Sequence, residues 1–313
     1  MYDLIIIGSG PAGLSAAVYA KRAGLNMLII EKNPVSGGQI IDTYEVDNYL
    51  GIPGVNGFDL AMKFREHADK LGAEFADGTV TGIECVEKGS DTKAPVYKIK
   101  TDSGDYETHT VILATGAHHS KLGIPGEEEY IGKGVSYCAT CDGAFYRGKV
   151  TAVNGGGDVA VEDAIFLSRF AEKVYLIHRR DELRAAKILQ DELFGIKNIE
   201  VIWDSVVKEI RGEDKVNRLL IENVNNKEEK ELSVDGIFVA IGIHPSTDVF
   251  ADIVKCDENG YVIAGEDGAT NTPGIFVAGD SRKKRLRQVV TAVADGANTV
   301  TSVQDFLVGK AKS

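Results

Sequence analysis

A short apolar run, Tyr2-Asp3-Leu4-Ile5-Ile6-Ile7, leads without a break into Gly8-Ser9-Gly10-Pro11-Ala12-Gly13. Such a run suits a strand buried on both faces of a parallel sheet. A helical pattern follows through Leu14, Ala17 and Val18 to Gly24, and a second apolar run, Asn26-Met27-Leu28-Ile29-Ile30, ends at Glu31. Strand, Gly-x-Gly-x-x-Gly, helix, strand and acid together form the dinucleotide-binding fingerprint. Glu31 stands 18 positions after Gly13, near the spacing of about 20 that the fingerprint asks for. The glycines let the backbone approach a pyrophosphate, and the helix N-terminus adds partial positive charge. The carboxylate can accept from ribose hydroxyls.

The same pattern returns in the second half. Gly148-Lys149-Val150-Thr151-Ala152-Val153 predicts a strand running to Gly155-Gly156-Gly157-Asp158-Val159-Ala160, the fingerprint with alanine last. A helix is expected over 162–170 and a strand over Val174-Tyr175-Leu176-Ile177. That strand ends in His178-Arg179-Arg180, with Arg184 one turn on. Arginines there favour a 2′-phosphate through charge-assisted bonds, although a solvated basic cluster would read the same way. The repeat is one of fold and not of sequence. The arginine end suits NADPH, and the glutamate end suits a 2′-unphosphorylated adenosine such as that of FAD or NAD. The expected class is therefore α/β, with two Rossmann-like, three-layer nucleotide-binding domains.

Between the two fingerprints lies Cys138-Ala139-Thr140-Cys141-Asp142-Gly143. Thiols three positions apart can close a small disulfide, and a thiolate at one end can attack a mixed disulfide held by the other. The acid beside Cys141 can supply or take the proton of that exchange. Half of a zinc site is the competing reading, but a structural site needs four ligands. The other cysteines, Cys85 and Cys256, are lone and far apart, and the adjacent His118-His119 point in different directions. A flavin is the natural relay between a hydride donor and a dithiol.

The intervening chain offers irregular loops at Gly37-Gly38-Gln39 and Gly51–Gly54, and a helix whose apolar residues run from Phe58 to Leu71. Residues 75–112 read as short strands with a polar hairpin tip from Lys88 to Pro95. Val111-Ile112-Leu113-Ala114-Thr115-Gly116 is a further buried strand ending in glycine. Residues 199–241 read as strands, Gly274–Asp280 as a strand ending in an acid, and Arg287 through about Val303 as a long helix. A net charge of −12 disfavours nucleic acid as a partner. The one dense basic run, around Lys283-Lys284-Arg285, reads as a solvated face or an anion contact. No apolar run approaches the roughly 20 residues that span a bilayer. Four cysteines with one close pair suit a reducing cytoplasm.

On these motifs the chain resembles the bacterial-type low-molecular-weight thioredoxin reductases along nearly its whole length. The most specific match is the cysteine pair just before the second glycine motif. Gly37-Gly38-Gln39, Ala114-Thr115-Gly116, Gly279-Asp280 and Arg287-Gln288-Val289 add to it. The resemblance implies a flavoprotein homodimer that carries electrons from NADPH to FAD, to the Cys138/Cys141 disulfide, and on to thioredoxin. It implies an FAD domain of residues 1–117 and 243–313, with an NADPH domain of 118–242 inserted. Cys141 becomes the flavin-facing thiol, Cys138 the one that attacks thioredoxin, and Asp142 the acid/base. The implied flavin contacts are the Gly8, Gly10, Pro11, Ala12 and Gly13 loop with Glu31, Gly38, Gln39, Asn48, Thr115, Gly116, Gly279, Asp280, Arg287, Gln288 and Val289. Those for NADPH are Gly155, Gly157, Asp158, His178, Arg179, Arg180 and Arg184. No metal is expected. A relative fed by ferredoxin, the flavoprotein half of a peroxide-reducing system and a non-enzymatic redox sensor are the alternatives.

Overall fold

The computed structural model describes residues 1–43 and 45–312. Two compact units emerge. The first takes the chain through Thr43, then Tyr49–His118, then everything from His244 onward; the second takes residues 45–48 and His119–Ile243.

The first unit opens with β1 (Tyr2–Ile7), α1 (Pro11–Arg22) and β2 (Met27–Glu31), followed by α2 (Gly57–Lys70) and β3 (Glu74–Asp77). β1, β2 and β3 are parallel neighbours, with Leu4 opposite Met27 and Leu28 opposite Glu74. β4 (Val80–Glu87), β5 (Val96–Thr101) and β6 (Asp105–Leu113) then form an antiparallel meander. The far half of β6 turns into the parallel sheet beside β1. The chain leaves this unit through β7 (Ala117–His119).

In the second unit come β8 (Val135–Ser136), α3 (Ala139–Asp142), β9 (Val150–Gly155), α4 (Asp158–Ser168), β10 (Lys173–Ile177), α5 (Lys187–Phe194) and β11 (Ile199–Ile202). β12 (Ser205–Gly212), β13 (Val216–Asn223) and β14 (Glu229–Ser233) form a separate antiparallel sheet, and β15 (Gly236–Ala240) returns to the parallel one. That parallel sheet runs β11-β10-β9-β15-β8. The chain comes back through β16 (Ile243–Pro245), which pairs with β7, and ends with β17 (Ile275–Val277) and α6 (Val289–Lys312). β17 lies parallel to β6, with Ile275 opposite Val111.

Both units share one layering, and the alternation of side chains along the strands explains it. In β1, Leu4 and Ile6 pack with Leu14, Ala17 and Val303 from α1 and α6. Ile5 and Ile7 face the other way, against Ile99, Phe250 and Val262. In the second unit, Val153 and Leu176 meet Ala160, Ala164 and Leu193 from α4 and α5. Ala152 and Ile177 meet Val207, Leu219 and Ile221 of the antiparallel sheet. Helices therefore cover one face of each parallel sheet, and strands with loops cover the other. Burial on both faces is why the central strands read as unbroken apolar runs.

α6 begins at Val289 and extends to Lys312, later and longer than the expected span of Arg287 to about Val303. Its added turns bring Phe306 and Leu307 onto the first unit's core. A side chain at Gly296 would overlap the Ala12 carbonyl, so this helix lies directly on α1. No described helix is long and apolar enough to cross a membrane.

Candidate functional site

The first glycine loop joins β1 to α1, and its glycines answer to different needs. A Cβ on Gly13 would overlap the Gly8 carbonyl, and one on Gly8 would press into Ala114. Gly10 precedes α1 with open space where its Cβ would stand. Pro11 occupies the first helical position, where its missing N–H costs nothing. No side chain caps this helix, which leaves its backbone donors facing the open side. Glu31, at the end of β2, is fixed by the loop. Its Oε2 accepts from the Ser9 amide and the Ser9 hydroxyl, both at 2.7 Å, and its Oε1 accepts from the Asn33 amide at 2.9 Å. A carboxylate has about four acceptor positions, so capacity for a ribose hydroxyl remains.

Other expected residues gather around the same helix end. The Gly37 amide donates to the Ser9 carbonyl at 2.9 Å, and a Cβ on Gly38 would touch Gly10. The Gln39 side-chain amide donates to the Ala117 carbonyl. Gly116 holds a φ of +68°, open to glycine. Gly279, with a φ of +79°, sits against Ala12. Thr115 Oγ1, Asp280 Oδ1 and Arg287 Nε are buried without a hydrogen-bond partner. Of these, Asp280 Oδ1 faces only the Lys284 ammonium at 3.3 Å; with Thr115 Oγ1 and Arg287 Nε unpartnered, the polar atoms here fit a large polar ligand such as a flavin dinucleotide. Burial raises the Asp280 pKa, while Lys284 and Arg287 oppose that shift. The Arg287 guanidinium stacks 3.9 Å over Tyr261. The Gln288 amide donates to Thr291 Oγ1 at 3.1 Å, at the start of α6. Asn48 is exposed and groups with the second unit.

The basic run divides: Lys283 and Arg285 are exposed, as a solvated face would have it, whereas Arg282 and Lys284 enter an ion-pair cluster within the first unit. Arg282 is buried and Lys284 has a nearly enclosed side chain; they pair with Asp295 at 2.8 and 3.1 Å, and the exposed Lys283 lies 3.5 Å from Asp257. Sequence reasoning missed Asp295, Ser9 and Tyr261. An acid inside an apolar-periodic helix was the available signal for Asp295.

In the second unit the loop after β9 repeats the arrangement. Gly157 precedes α4 with open space at its Cβ, and no side chain caps the helix. Asp158 Oδ1 accepts from the Ala186 amide at 2.7 Å, and the Arg184 amide donates to the Gly156 carbonyl at 2.8 Å. The segment carrying the arginines is thereby folded back onto the glycine loop. Arg179, Arg180 and Arg184 are exposed, and none makes a side-chain ion pair among the described residues. His178 is buried under Gly156, where any Cβ would strike its ring, and it packs edge-on against Trp203. Burial lowers its pKa, with Arg184 and Arg180 adding to the shift, and its Nε2 is buried without a hydrogen-bond partner.

Cys138 and Cys141 are joined in a disulfide at the start of α3, with Cα atoms 5.3 Å apart. The turn is held by the Cys141 and Asp142 amides, which donate to the Cys138 carbonyl at 3.2 and 3.1 Å. The Cys138 amide donates to Ser136 Oγ at 3.1 Å. Both cysteines are half-buried. Asp142 Oδ1 is shielded from solvent and unbonded. Burial raises the Asp142 pKa, and the Ser136 hydroxyl pulls against it. A Cβ on Gly143 would crowd Phe170, Leu167 and Phe166, so this glycine seats the motif on α4. Among the described residues no group of three or more His, Cys, Asp or Glu is placed to hold a metal.

The family described as pyridine nucleotide-disulphide oxidoreductase matches residues 2–296. The chain is 45% identical to a thioredoxin reductase of Bacillus subtilis over 308 residues, covering 98% of this chain and 95% of the relative. It is 44% identical to a "34.2 kDa protein in rubredoxin operon" of Clostridium pasteurianum, covering 98% of each chain. The crystal structure of thioredoxin reductase from Streptococcus pyogenes superposes with a TM-score of 0.93 at 46% identity, over 98% of both chains. With two glycine loops and a closed Cys-x-x-Cys carried on this frame, the chain belongs to the pyridine nucleotide-disulphide oxidoreductase family, alongside the bacterial thioredoxin reductases.

Proposed function

We propose that the protein is an NADPH-dependent thioredoxin-disulfide reductase, and the Cys138–Cys141 disulfide with Asp142 beside it is the observation that carries this reading. Likeness over nearly the full length to a thioredoxin reductase of Bacillus subtilis supports it. Residues 1–117 and 243–313 hold FAD, and 118–242 bind NADPH. Gly8, Gly10 and Gly13 admit the FAD pyrophosphate to the α1 N-terminus, and Glu31 receives the adenosine ribose. The ligand's remaining polar groups take Thr115 Oγ1 and Arg287 Nε, which have no partner, and the oxygen of Asp280 that does not face Lys284. The second loop and the α4 N-terminus receive the NADPH pyrophosphate. Arg179, Arg180 and Arg184, free of competing carboxylates, take the 2′-phosphate.

A bound flavin supplies the conversion of a hydride into the electron pair that a disulfide accepts. The remaining steps belong to the chain. Two electrons and two protons open the Cys138–Cys141 bond to a dithiol. The half-buried Asp142 retains its proton to higher pH than an exposed aspartate and exchanges it with the neighbouring sulfur. The Cys138 thiolate attacks the disulfide of oxidised thioredoxin, forming a mixed disulfide and releasing one partner thiolate. Cys141 then attacks Cys138 Sγ, releasing reduced thioredoxin and re-forming the disulfide. The enzyme works as a homodimer in the cytoplasm.

Anaerobic titration of the flavin-loaded protein with NADPH, NADH and reduced ferredoxin, each followed by oxidised thioredoxin, tests the proposal. Bleaching by NADPH at stoichiometric amounts, with flavin colour restored by thioredoxin, is expected. Bleaching only by ferredoxin, or no reoxidation by thioredoxin, would overturn it.

A further inference from the structure

The ion-pair cluster behind Gly279-Asp280 has more cations than its buried acid needs. Asp295 is already satisfied: its Oδ1 accepts from Arg282 Nη2 at 2.8 Å, and its Oδ2 accepts from Arg282 Nε at 3.3 Å and from the Gly279 amide at 3.0 Å. Lys284 nevertheless brings a second positive charge. Its Nζ lies 3.1 Å from Asp295 Oδ2, 3.4 Å from Thr291 Oγ1 and 3.3 Å from Asp280 Oδ1. The Lys284 side chain is only 7% exposed, so this ammonium is desolvated and confined. Asp280 has the opposite need. Its buried Oδ1 has no aligned hydrogen bond, and Lys284 is its one ion-pair partner among the described residues. The Asp280 side chain keeps 26% exposure, to which the buried Oδ1 facing Lys284 contributes essentially nothing.

We infer that Lys284, braced by Asp295, is a positioning residue that fixes Asp280 as a hydrogen-bond acceptor for the flavin. Asp295 holds the backbone just before Asp280 through the Gly279 amide and holds Lys284 through its ammonium. Lys284 holds the inner side of the Asp280 carboxylate, and the outer oxygen is presented to the ligand. A neutral residue in place of Lys284 leaves Asp280 with only the more distant Arg287 charge to support its ionised form. This inference rests on the placement of the flavin beside Asp280 proposed above.

The test is a double-mutant cycle read in flavin affinity, which isolates action through a partner from general damage. Apoprotein is titrated with FAD, and quenching of flavin fluorescence gives Kd for wild type, Lys284→Met, Asp280→Asn and the double variant. Lys284→Met should raise Kd about tenfold in the wild-type background and less than about twofold when Asp280 is already Asn. An equal loss in both backgrounds makes Lys284 a structural residue and overturns the inference, as does no loss at all. An Asp280→Asn variant with unchanged Kd would instead sink the flavin placement itself. If Lys284→Met does not fold, Lys284→Gln, which keeps a donor on a similar stem, carries the same cycle.

Discussion

The two glycine loops share a strand-turn-helix frame, yet they treat the residue at the end of the second strand in opposite ways. Glu31 is bound into its loop by three donors, from Ser9 and Asn33. Arg179 and Arg180 stand out in solvent without a side-chain partner, and only the backbone of Arg184 ties their segment to the loop. The first arrangement is preorganised, so its ligand meets groups already fixed in place, as a tightly retained cofactor requires. The second leaves its cations exposed, as would suit a phosphate-bearing ligand that enters and leaves at every turnover. On the function proposed above, the same strand-turn-helix frame would serve retention in one unit and exchange in the other.

The strongest way to break this contrast is to disconnect both loops from the disulfide. Cys138→Ser should leave flavin reduction by NADPH intact and cut thioredoxin reduction by about a thousandfold or more, because exchange needs both sulfurs. Stopped-flow bleaching set against steady-state turnover checks this. Normal turnover would remove the pair from the reaction.

Next in size is the exchanging loop. Arg179→Ala with Arg180→Ala should raise KM for NADPH by about a hundredfold or more, from about 1.5–3 kcal/mol for each of the two lost charge-assisted bonds. KM for NADH should stay within about twofold. Wild-type KM for NADPH should also climb with ionic strength, since exposed charges are screened by salt. An equal penalty on both nucleotides would place the arginines elsewhere.

Glu31→Gln addresses the retaining loop. It weakens the acceptor for Ser9 and should raise the FAD dissociation constant about tenfold while leaving KM for NADPH unchanged. A shift in the NADPH constant of similar size would erase the division of labour between the loops.

The smallest effect concerns pH. α1 contains no acidic residue, whereas α4 carries Asp163, which burial, with Glu162 adjacent, pushes up to about 7. Its folded pKa exceeds the unfolded value of roughly 4. The folded state therefore holds a proton that the unfolded state has lost, and stability falls as pH rises toward 7, then levels off. Asp163→Asn should raise the melting temperature at pH 8 by several degrees, at about 2–4 °C per kcal/mol, and change it little at pH 4.5. Calorimetry at the two pH values decides it, and an equal gain at both would exclude titration as the cause.

Local patterns carried much of this protein's organisation. The runs ending at Ile7 and Ile30 and the helix from Gly57 follow from periodicity and glycine placement alone. What the sequence hid was pairing over distance. Lys284 looks solvated in a linear reading because its partner, Asp295, lies on another element. The burial of His178 beneath Gly156, unlike the exposure of its neighbours Arg179 and Arg180, was not legible in the linear run. Asn48 was placed by resemblance, and no local signal placed residues 45–48 with the second unit.

The pairing of β17 with β6, and of α6 with α1, also bears on how the chain is made. Val111 and Ile275 are neighbours in one sheet, but nearly all of the second unit is synthesised between them. On a ribosome, His119–Ile243 emerges as an almost continuous block and can close its own core first. Meanwhile β6 waits with an open edge, and the face of α1 that Gly296 will cover stays bare. A nascent chain stalled between 245 and 274 would carry a finished nucleotide unit tethered to an unfinished sheet, whose free edge is a template for aggregation. The sheet and helix layer of the older half are therefore sealed only by the last stretch of translation, where β17 and α6 arrive together.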